Sequence, residues 1–594
     1  MNRLTARLSV AALGAILASC AGHDASLGGV PPVGGTGANA PSAAGLQNAL
    51  DLERAPIPVG APAGDVPIAV VLPMRNRAEL EAKAAQIGDP SSPQFRHFLT
   101  RQYIADTYDP RPADLEAVAA QLRAAGFSTQ TGAHAVFAWA PSSSIASFFG
   151  TTITGVQYTS RTGEVSTRAV AQTPLRLPQA FAALGAHVVG LDNRAPFETF
   201  SQIAGVVPPG RTPDSIAGKY GPYYPPDLRQ AYHFPSVAVA NGSGVTIAIV
   251  IDAQVRATDV AAFSSYALNH RALAMSTVKI AGGGPLDTGE GTLDVEQSGG
   301  IAPGASIDVY SIPALSDSYV LEAYDAAYNN SKVLVVNSSF GQCEADFDNS
   351  SGISYLNDVD GYFVEGSAVG MTWVAASGDW SAFGCPDGSL NKVGVMWPAS
   401  DPNVLSVGGT DLETTHAAGN YASAYYGETA YDYAVGGGKY WGSGGGYSGG
   451  YARPSWQYGF VSSTGRGVPD LSLHMGCCPG GGAGRSTDAS SDYVYLAGKW
   501  VELIGTSAAS PDIVGLVALR DELQRSGQGD MHAWIYAEAK HAGMFRRAIR
   551  GNNGYSTNAG YWDPVLGLGT PVGSAFAGTG YYAGVPGTAT NPGR

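Results

Sequence analysis

The residues with the clearest chemical meaning are Gly505-Thr506-Ser507-Ala508-Ala509-Ser510-Pro511. An apolar run enters this turn and a helix-like segment, 513–523, leaves it, so the pattern predicts a serine at a helix N-terminus. Free N–H groups and the helix dipole favour negative charge on an attacking hydroxyl oxygen there. The same position suits an ordinary helix cap, so Ser507 alone does not separate nucleophile from cap. A nucleophilic serine also needs a base. Glu290 and Asp294, in Gly289-Glu290-Gly291-Thr292-Leu293-Asp294-Val295-Glu296, are four residues apart. On a helix that spacing sets two side chains about 40° apart on one face, close enough to share a proton. Mutual repulsion raises one pKa of such a pair and leaves a dyad active in acid. Glu296, about 240° round from Glu290, faces elsewhere. A solvated acidic helix start would carry the same residues and do no chemistry.

Subtilisin-like enzymes share the Gly-Thr-Ser turn and draw their base from a histidine in a His-Gly context. This chain has ten histidines, and none is in that context. His97 and His134 lie in the N-terminal region, and His270, His416, His474 and His541 lie in polar or loop-like surroundings. Each reads as a surface or satisfied histidine, which leaves the base to a carboxylate.

Glu290-x-x-x-Asp294, Ser377-Gly378-Asp379 and Gly505-Thr506-Ser507-Ala508 resemble, in order and spacing, the three motifs of the sedolisin family, kumamolisin-like serine-carboxyl peptidases with a subtilisin-like fold. Ala302-Pro303-Gly304-Ala305, Asn337-Ser338-Ser339-Phe340-Gly341, Trp397-Pro398-Ala399-Ser400, Ser443-Gly444-Gly445-Gly446-Tyr447-Ser448 and Gly467-Val468-Pro469-Asp470 extend the likeness over 223–573. Asp89-Pro90-Ser91-Ser92-Pro93 and Phe98-Leu99-Thr100 resemble the family's activation domain. The resemblance implies that Ser507 attacks, Glu290 takes its proton and returns it to the leaving amine, and Asp294 orients Glu290 and shares its charge. Asp379 would face the oxyanion, where only the protonated acid can donate a hydrogen bond; without the family match it reads as a strand-end turn. Ser443, Gly444, Gly445 and Gly446 would bind substrate, by pairing backbone with an extended peptide. The family also implies calcium near the C-terminus, through an aspartate in Phe-x-Asp-Ile-Thr-x-Gly and another in Gly-x-Asp. Here the first stretch reads Phe545-Arg546-Arg547-Ala548-Ile549-Arg550-Gly551 and the second Gly560-Tyr561-Trp562-Asp563. Of the expected metal ligands only Asp563 remains, and Arg547 stands where the other is expected. Arginine is incompatible with a calcium shell of six to eight oxygens. The expectation is that Arg547 or a neighbouring arginine replaces the ion and pairs with Asp563. No other cofactor is indicated.

The elements that must position these groups are legible as patterns. Runs at 245–251, 306–312, 332–338, 371–376 and 404–407 alternate with helical stretches at 293–299 and 319–329. They predict a doubly wound α/β domain with a parallel sheet and a site at the strands' carboxyl ends. Before it, strand-like 66–72 and 135–138 and helical 77–87 and 112–125 predict an α+β domain, ferredoxin-like if the resemblance holds. Residues 206–226 read as an exposed Pro/Gly-rich linker, and 417–451 as ordered loop.

The chain has 594 residues with 14% charged side chains and a net charge of −15. That charge argues against a nucleic-acid partner, which needs clustered Lys and Arg. Arg3 and Arg7 followed by the apolar 8–18 predict an export signal too short to span a bilayer. Leu17-Ala18-Ser19-Cys20 resembles a bacterial lipobox with Cys20 as the lipidated residue, so the expected place is outside the cytoplasm: outer membrane, periplasm or medium. The remaining cysteines, Cys343, Cys385, Cys477 and Cys478, predict disulfides with three connectivities open. The expected layout is signal 1–20, Gly/Ala/Pro-rich tether 21–52, activation prodomain 53–195, linker with processing site 196–222, peptidase domain 223–580 and tail 581–594. Processing is expected between Arg194 and Lys219. The expected partners are protein or peptide substrates and the chain's own prodomain, with membrane contact only through the lipid. Internal cleavage and tripeptide removal both stay open. A sedolisin-fold surface protein that binds peptides without cutting them is the alternative.

Overall fold

In the computed structural model, residues 57–159, 165–207, 221–385, 393–415, 424–430, 433–436, 439–477, 490–547 and 549–580 are described. The export signal with Cys20, the tether, Cys478 and the tail lie outside them.

The N-terminal domain is built on a four-stranded antiparallel sheet of β1 (Asp65–Val71), β2 (Ser128–Thr131), β3 (Ala135–Pro141) and β4 (His187–Val189), in the order β2-β3-β1-β4. Helices α1 (Arg77–Gly88) and α2 (Pro112–Ala124) connect its strands. This is the ferredoxin-like arrangement. Pro112 starts α2 where a missing N–H costs nothing, and Leu115, Val118 and Leu122 project from one face into a core with Ile68, Val70 and Val136.

Two short strands follow, β5 (Glu198–Thr199) and β6 (Gln202–Val206). The stretch 206–226 is more than a linker. It starts in β6 and ends in a helix at Pro225–Ala231, and only 208–220 is undescribed.

The second domain is a doubly wound sheet. Its β7 (Thr246–Ile251), β8 (Ala274–Lys279), β9 (Ser306–Ser311), β10 (Val333–Ser338), β12 (Thr372–Ala376), β13 (Val404–Thr415) and β15 (Leu471–His474) are all parallel. Between β10 and β12 in the chain comes β11 (Phe340–Cys343), which lies outside this sheet. The order is β8-β9-β7-β10-β12-β13, with β15 beside β13, and β14 (Ala424–Ala430) continues the edge antiparallel. The chain winds outward from β7 in one direction and then the other, so the carboxyl ends of β7 and β10 form a switch point, the usual place for a site. β7 is buried along its whole length, which explains its unbroken β-branched sequence. The described residues of the region expected to be ordered loop at 417–451 are instead mostly short strands, including β14 and Gly446–Ala452, and 417–423 lie outside the described residues.

Helices α3 (Glu290–Ile301), α4 (Asp317–Asn329) and α5 (Ser350–Ala368) flank the sheet, and α6 (Thr506–Gln524) packs against α3. Just before α6 runs β16 (Lys499–Ile504). Cys343 and Cys385 form a disulfide, which selects one of the three pairings, and Cys477 is bonded too.

The N-terminal domain docks on α4 and α5 with its cations against their acids. Arg77 pairs with Asp360, His187 with Asp358, and His134 with Glu365 at 2.9 Å. Arg168 and Arg194 both reach Asp317, which is buried. Burial pushes the Asp317 carboxyl up, but the two guanidinium groups outweigh it and its pKa is lowered. A lowered pKa contributes stability above the unfolded value, near 4, that is lost as pH falls through the folded one. Asp317→Asn, in a chain that cannot process itself, is therefore expected to cost about 3 kcal/mol at pH 6 and much less at pH 2.5. Melting temperatures at the two pH values check this; equal losses would show that Asp317 is not an acid-labile contact.

Candidate active site

Four acidic or hydroxyl side chains singled out by motif and spacing meet at the carboxyl edge of the sheet. Glu290 and Asp294 occupy the first two turns of α3. Asp287 fixes that helix start: its oxygens accept the N–H groups of Gly289, Gly291 and Thr292, the last at 2.6 Å. These are donors that a helix N-terminus leaves unpaired. Asp379 follows β12, and Ser507 is the second residue of α6. Gly505 turns β16 into α6 at φ 142°, a conformation that favours glycine. All four side chains are buried.

Glu290 is pushed up to about 8, chiefly by burial, while the Ser201 and Ser507 hydroxyls that face it hold it down. Neither of its oxygens has a hydrogen bond of ordinary length. Asp294 is raised well above the carboxylate range, by burial first and then by the charge of Glu290. Its Oδ1 accepts the Ser339 hydroxyl at 2.7 Å. Ser339 in turn accepts from Asn337 Nδ2, and Asn337 Oδ1 accepts the Ser510 hydroxyl. The direct sharing of a proton between Glu290 and Asp294 expected from their spacing is not made; they act on each other through charge. Glu296 faces away, as the helical angle requires, and accepts the Tyr495 N–H at 2.8 Å.

Asp379 has one oxygen committed and one free. Its Oδ1 accepts both the N–H and the hydroxyl of Thr506, at 2.7 and 2.8 Å. Oδ2 is buried without a partner. Burial raises this carboxyl well above its ordinary range, and the charge of Glu290 adds to that. With Oδ1 accepting twice, the proton belongs on Oδ2. A Cβ placed on Gly505 would sit 2.7 Å from Oδ2 and 2.0 Å from the carbonyl oxygen of Phe200, so the donor and a peptide carbonyl lie on the same bare glycine. The Ser507 N–H donates to that carbonyl at 3.3 Å. The Ser507 hydroxyl rests against the Ser339 carbonyl, also at 3.3 Å.

Among the described residues no histidine contacts Ser507 or Glu290. His474 is buried elsewhere, and burial lowers it to about 3, so it stays neutral. His134 and His532 pair with acids away from the site.

Ser443 to Gly446 back the site from behind. Gly444 N–H donates to the Gly378 carbonyl, and Ser377 Oγ donates to the Gly444 carbonyl at 2.7 Å. Ser443 Oγ accepts the Gly409 N–H, and its carbonyl takes Asn553 Nδ2. A Cβ on Gly444 would stand 2.2 Å from the Ser377 carbonyl oxygen. Of the glycines expected to pair with an extended peptide, Gly444 is committed to the Ser377–Asp379 turn, Gly445 packs against the Pro564 carbonyl, and Gly446 pairs with Val468. Strands that do pair with an extended segment are β11, with β5, and β16, with β6. Asn337, Ser339 and Thr506 were visible as motif residues, but their supporting bonds only appear once the strand ends meet.

The residues present do not fit calcium. Asp563 Oδ1 accepts the N–H groups of Val565 and Leu566 at 3.0 Å, and Oδ2 that of Asn558; burial pushes it up to about 6. Arg547 donates to the Ala539 carbonyl at 2.6 Å and stacks over Tyr561. The expected pairing of an arginine with Asp563 is a correction, since among the described residues no cation bridges to it. Each group is satisfied separately, Asp563 by its own turn and Arg547 by an aromatic face. A chelator is accordingly expected to leave the melting temperature unchanged within about 1 °C; a larger fall, reversed by added calcium, would refute this reading.

Residues 60–194 match the pro-kumamolisin activation domain, and residues 274–561 match the subtilase family. Sedolisin from Pseudomonas sp. (strain 101) is 29% identical over 531 residues, 85% of either chain. Kumamolisin from Bacillus sp. (strain MN-32) is 30% identical over 424 residues, 67% of this chain and 71% of the relative. The solved structure of Pseudomonas sedolisin, a serine-carboxyl proteinase complexed with two molecules of pseudo-iodotyrostatin, superimposes with a TM-score of 0.53 at 27% identity. That superposition spans 62% of this chain and 98% of the other. With an activation domain, a subtilase-like sheet and relatives that cover both, the chain belongs to the sedolisin family of serine-carboxyl peptidases.

Proposed function

We propose that Ser507, Glu290, Asp294 and Asp379 carry out acid-range peptide-bond hydrolysis in a proenzyme that removes its own N-terminal domain. The observation that carries this reading is Asp379, whose Oδ1 takes two bonds from Thr506 while its buried Oδ2 has no partner and lies over Gly505 with the Phe200 carbonyl that the Ser507 N–H reaches. Ser507 attacks the carbonyl carbon as its proton passes to Glu290. The oxyanion is held by the Ser507 N–H and the neutral Asp379. The C–N bond then breaks with the proton returned to the leaving amine. Water repeats the sequence on the acyl-enzyme, and Ser507 is restored.

The division of labour follows from how the acids act on one another. Burial raises all three carboxyls and hydrogen bonds hold each of them down, but Asp294 and Asp379 are raised further by the charge of Glu290. An ionised Glu290 therefore keeps the other two neutral, which is the pattern a base beside a donor needs. The Ser201 hydroxyl faces Glu290, so residues 200 and 201 keep water from it. While they fill the cleft, its proton stays on in acid and self-cleavage is slow. When water returns, Glu290 falls toward the ordinary carboxyl range and turnover speeds up.

The boundaries we favour are an activation domain at 53–195, a linker at 196–222 and a peptidase domain at 223–580. The Cys343–Cys385 bond suits an oxidising compartment outside the cytoplasm. No described helix is long and apolar enough to cross a membrane, and attachment through Cys20 rests on the sequence pattern alone. The reading is tested by incubating the full chain with an unfolded protein between pH 3 and 5. Peptide release together with loss of the N-terminal domain is expected, and an inert chain would sink it.

A further inference from the structure

Residues 197–206 lie across the site as a substrate would. On the near side, β5 pairs antiparallel with β11, Thr199 opposite Phe340 and Glu198 opposite Gly341. The Phe200 N–H donates to the Ser339 carbonyl at 3.2 Å. On the far side, β6 pairs antiparallel with β16, from Gln202 opposite Ile504 to Val206 opposite Val501. Between these two strand additions sits a single peptide, Phe200–Ser201. Its carbonyl oxygen takes the Ser507 N–H, and the Ser201 hydroxyl faces Glu290. Strand addition of this kind is sequence-tolerant, so side-chain pockets must supply the selectivity.

Two pockets are filled. The Phe200 ring is 1% exposed and packs against Ala376 and Met396. Its tip lies 2.8 Å from where a Cβ on Gly341 would be, and 3.8 Å from one on Gly378. Two glycines thus make room for a ring. Three residues earlier, Phe197 is 4% exposed within rings of the peptidase domain: Phe340, Phe347, Tyr355 and Trp397 have centroids 5.7 to 6.4 Å from its own. Phe197, the fourth residue before the Ser201 nitrogen, has a pocket of its own in the peptidase domain, so the cleft extends past the third residue, where one that removes tripeptides would end.

We propose that Phe200–Ser201 is the bond the proenzyme cuts in itself, and that the same cleft makes the mature protein an endopeptidase selecting large apolar residues directly before the cut and at the fourth position before it. The proposal rests on the catalytic reading above. Ser507 Oγ bonds to the Phe200 carbonyl carbon, the bond to the Ser201 nitrogen breaks, and Ser201 leaves as a free amine with the proton carried by Glu290. Water then releases Phe200 as a carboxylate.

Full-length protein is acidified, and both products are identified by intact mass and N-terminal sequencing. The expected new termini are Phe200 and Ser201. The matured enzyme is then given the peptide of residues 195–206. Cleavage at the same bond is expected, with kcat/KM lowered at least about 100-fold when aspartate replaces Phe200 and about 10-fold when alanine replaces Phe197. A peptide beginning at Glu198, which offers a free amine before a tripeptide, is expected to be the poorer substrate. Maturation at another bond, with the unfolded protein still digested, overturns the assignment of Phe200–Ser201 and leaves the catalytic reading intact. A preference for the peptide beginning at Glu198 overturns the endopeptidase assignment. A chain that neither matures nor digests anything overturns the catalytic reading and this proposal with it.

Discussion

Exchanging Ser507 for alanine is expected to stop self-processing and turnover together, with turnover falling at least about 1,000-fold and the chain remaining full length in acid. The size of the effect follows from the absence of a substitute nucleophile. The Thr506 hydroxyl is committed to Asp379, that of Ser339 to Asp294 and that of Ser510 to Asn337. None can turn toward the peptide without leaving a buried acceptor unpaired, which costs about 1–3 kcal/mol. The fold, by contrast, loses little. Ser507 Oγ donates one long bond, 3.3 Å, to the Ser339 carbonyl and faces Glu290, which has no other bond of ordinary length to lose, and alanine is the better helix former. The variant should melt within about 1 kcal/mol of the parent while doing no chemistry. Residual maturation in highly purified Ser507→Ala protein would remove Ser507 from the nucleophile's role, whatever the melting curve shows.

Much of this site was legible because it depends on local patterns. Glu290 and Asp294 are one helical turn apart, and that spacing sets their common face wherever the helix is placed. The β-branched run at 245–251 marked a strand covered on both faces, and Thr246–Ile251 is one. The turn at Gly505 announced its helix through the apolar residues on either side. What escaped were features created by pairing at long range. Phe200 is an ordinary phenylalanine just before a Pro/Gly-rich stretch until Phe340 and Ile504, far away in sequence, each accept a strand beside it. Ser443 to Gly446 look like a bare ribbon offered to a peptide, yet the N–H and carbonyl of Gly444 are used inside the protein, because the turn after β12 needs a partner. No periodicity could have separated those two uses of glycine. The arginine at 547 was visible as a misfit for calcium, but its actual partner, the Tyr561 ring, depends on a turn whose shape Asp563 sets with three backbone bonds.

Asp379 offers the sharper test, because its two replacements are expected to behave differently. Asp379→Ala removes the donor on Oδ2 and leaves the oxyanion only the Ser507 N–H, a loss of about 100- to 1,000-fold in kcat. Asp379→Asn keeps a donor, and the surrounding bonds decide which way the amide turns. The Thr506 N–H and hydroxyl both need an acceptor at the Oδ1 position, so the amide oxygen belongs there and Nδ2 falls where the carboxyl proton stood. Activity in acid should then stay within about 10-fold of the parent. The pH profile carries the decisive difference. In the parent, activity rises as Glu290 loses its proton and falls as Asp379 loses its own, because a charged Asp379 repels the oxyanion it should hold. An amide cannot ionise, so Asp379→Asn is expected to keep the acidic limb, set by Glu290, and to carry activity to higher pH. An unchanged alkaline limb would mean that another group sets it, and equal losses in the alanine and asparagine variants would mean that Asp379 shapes the turn without donating to the oxyanion.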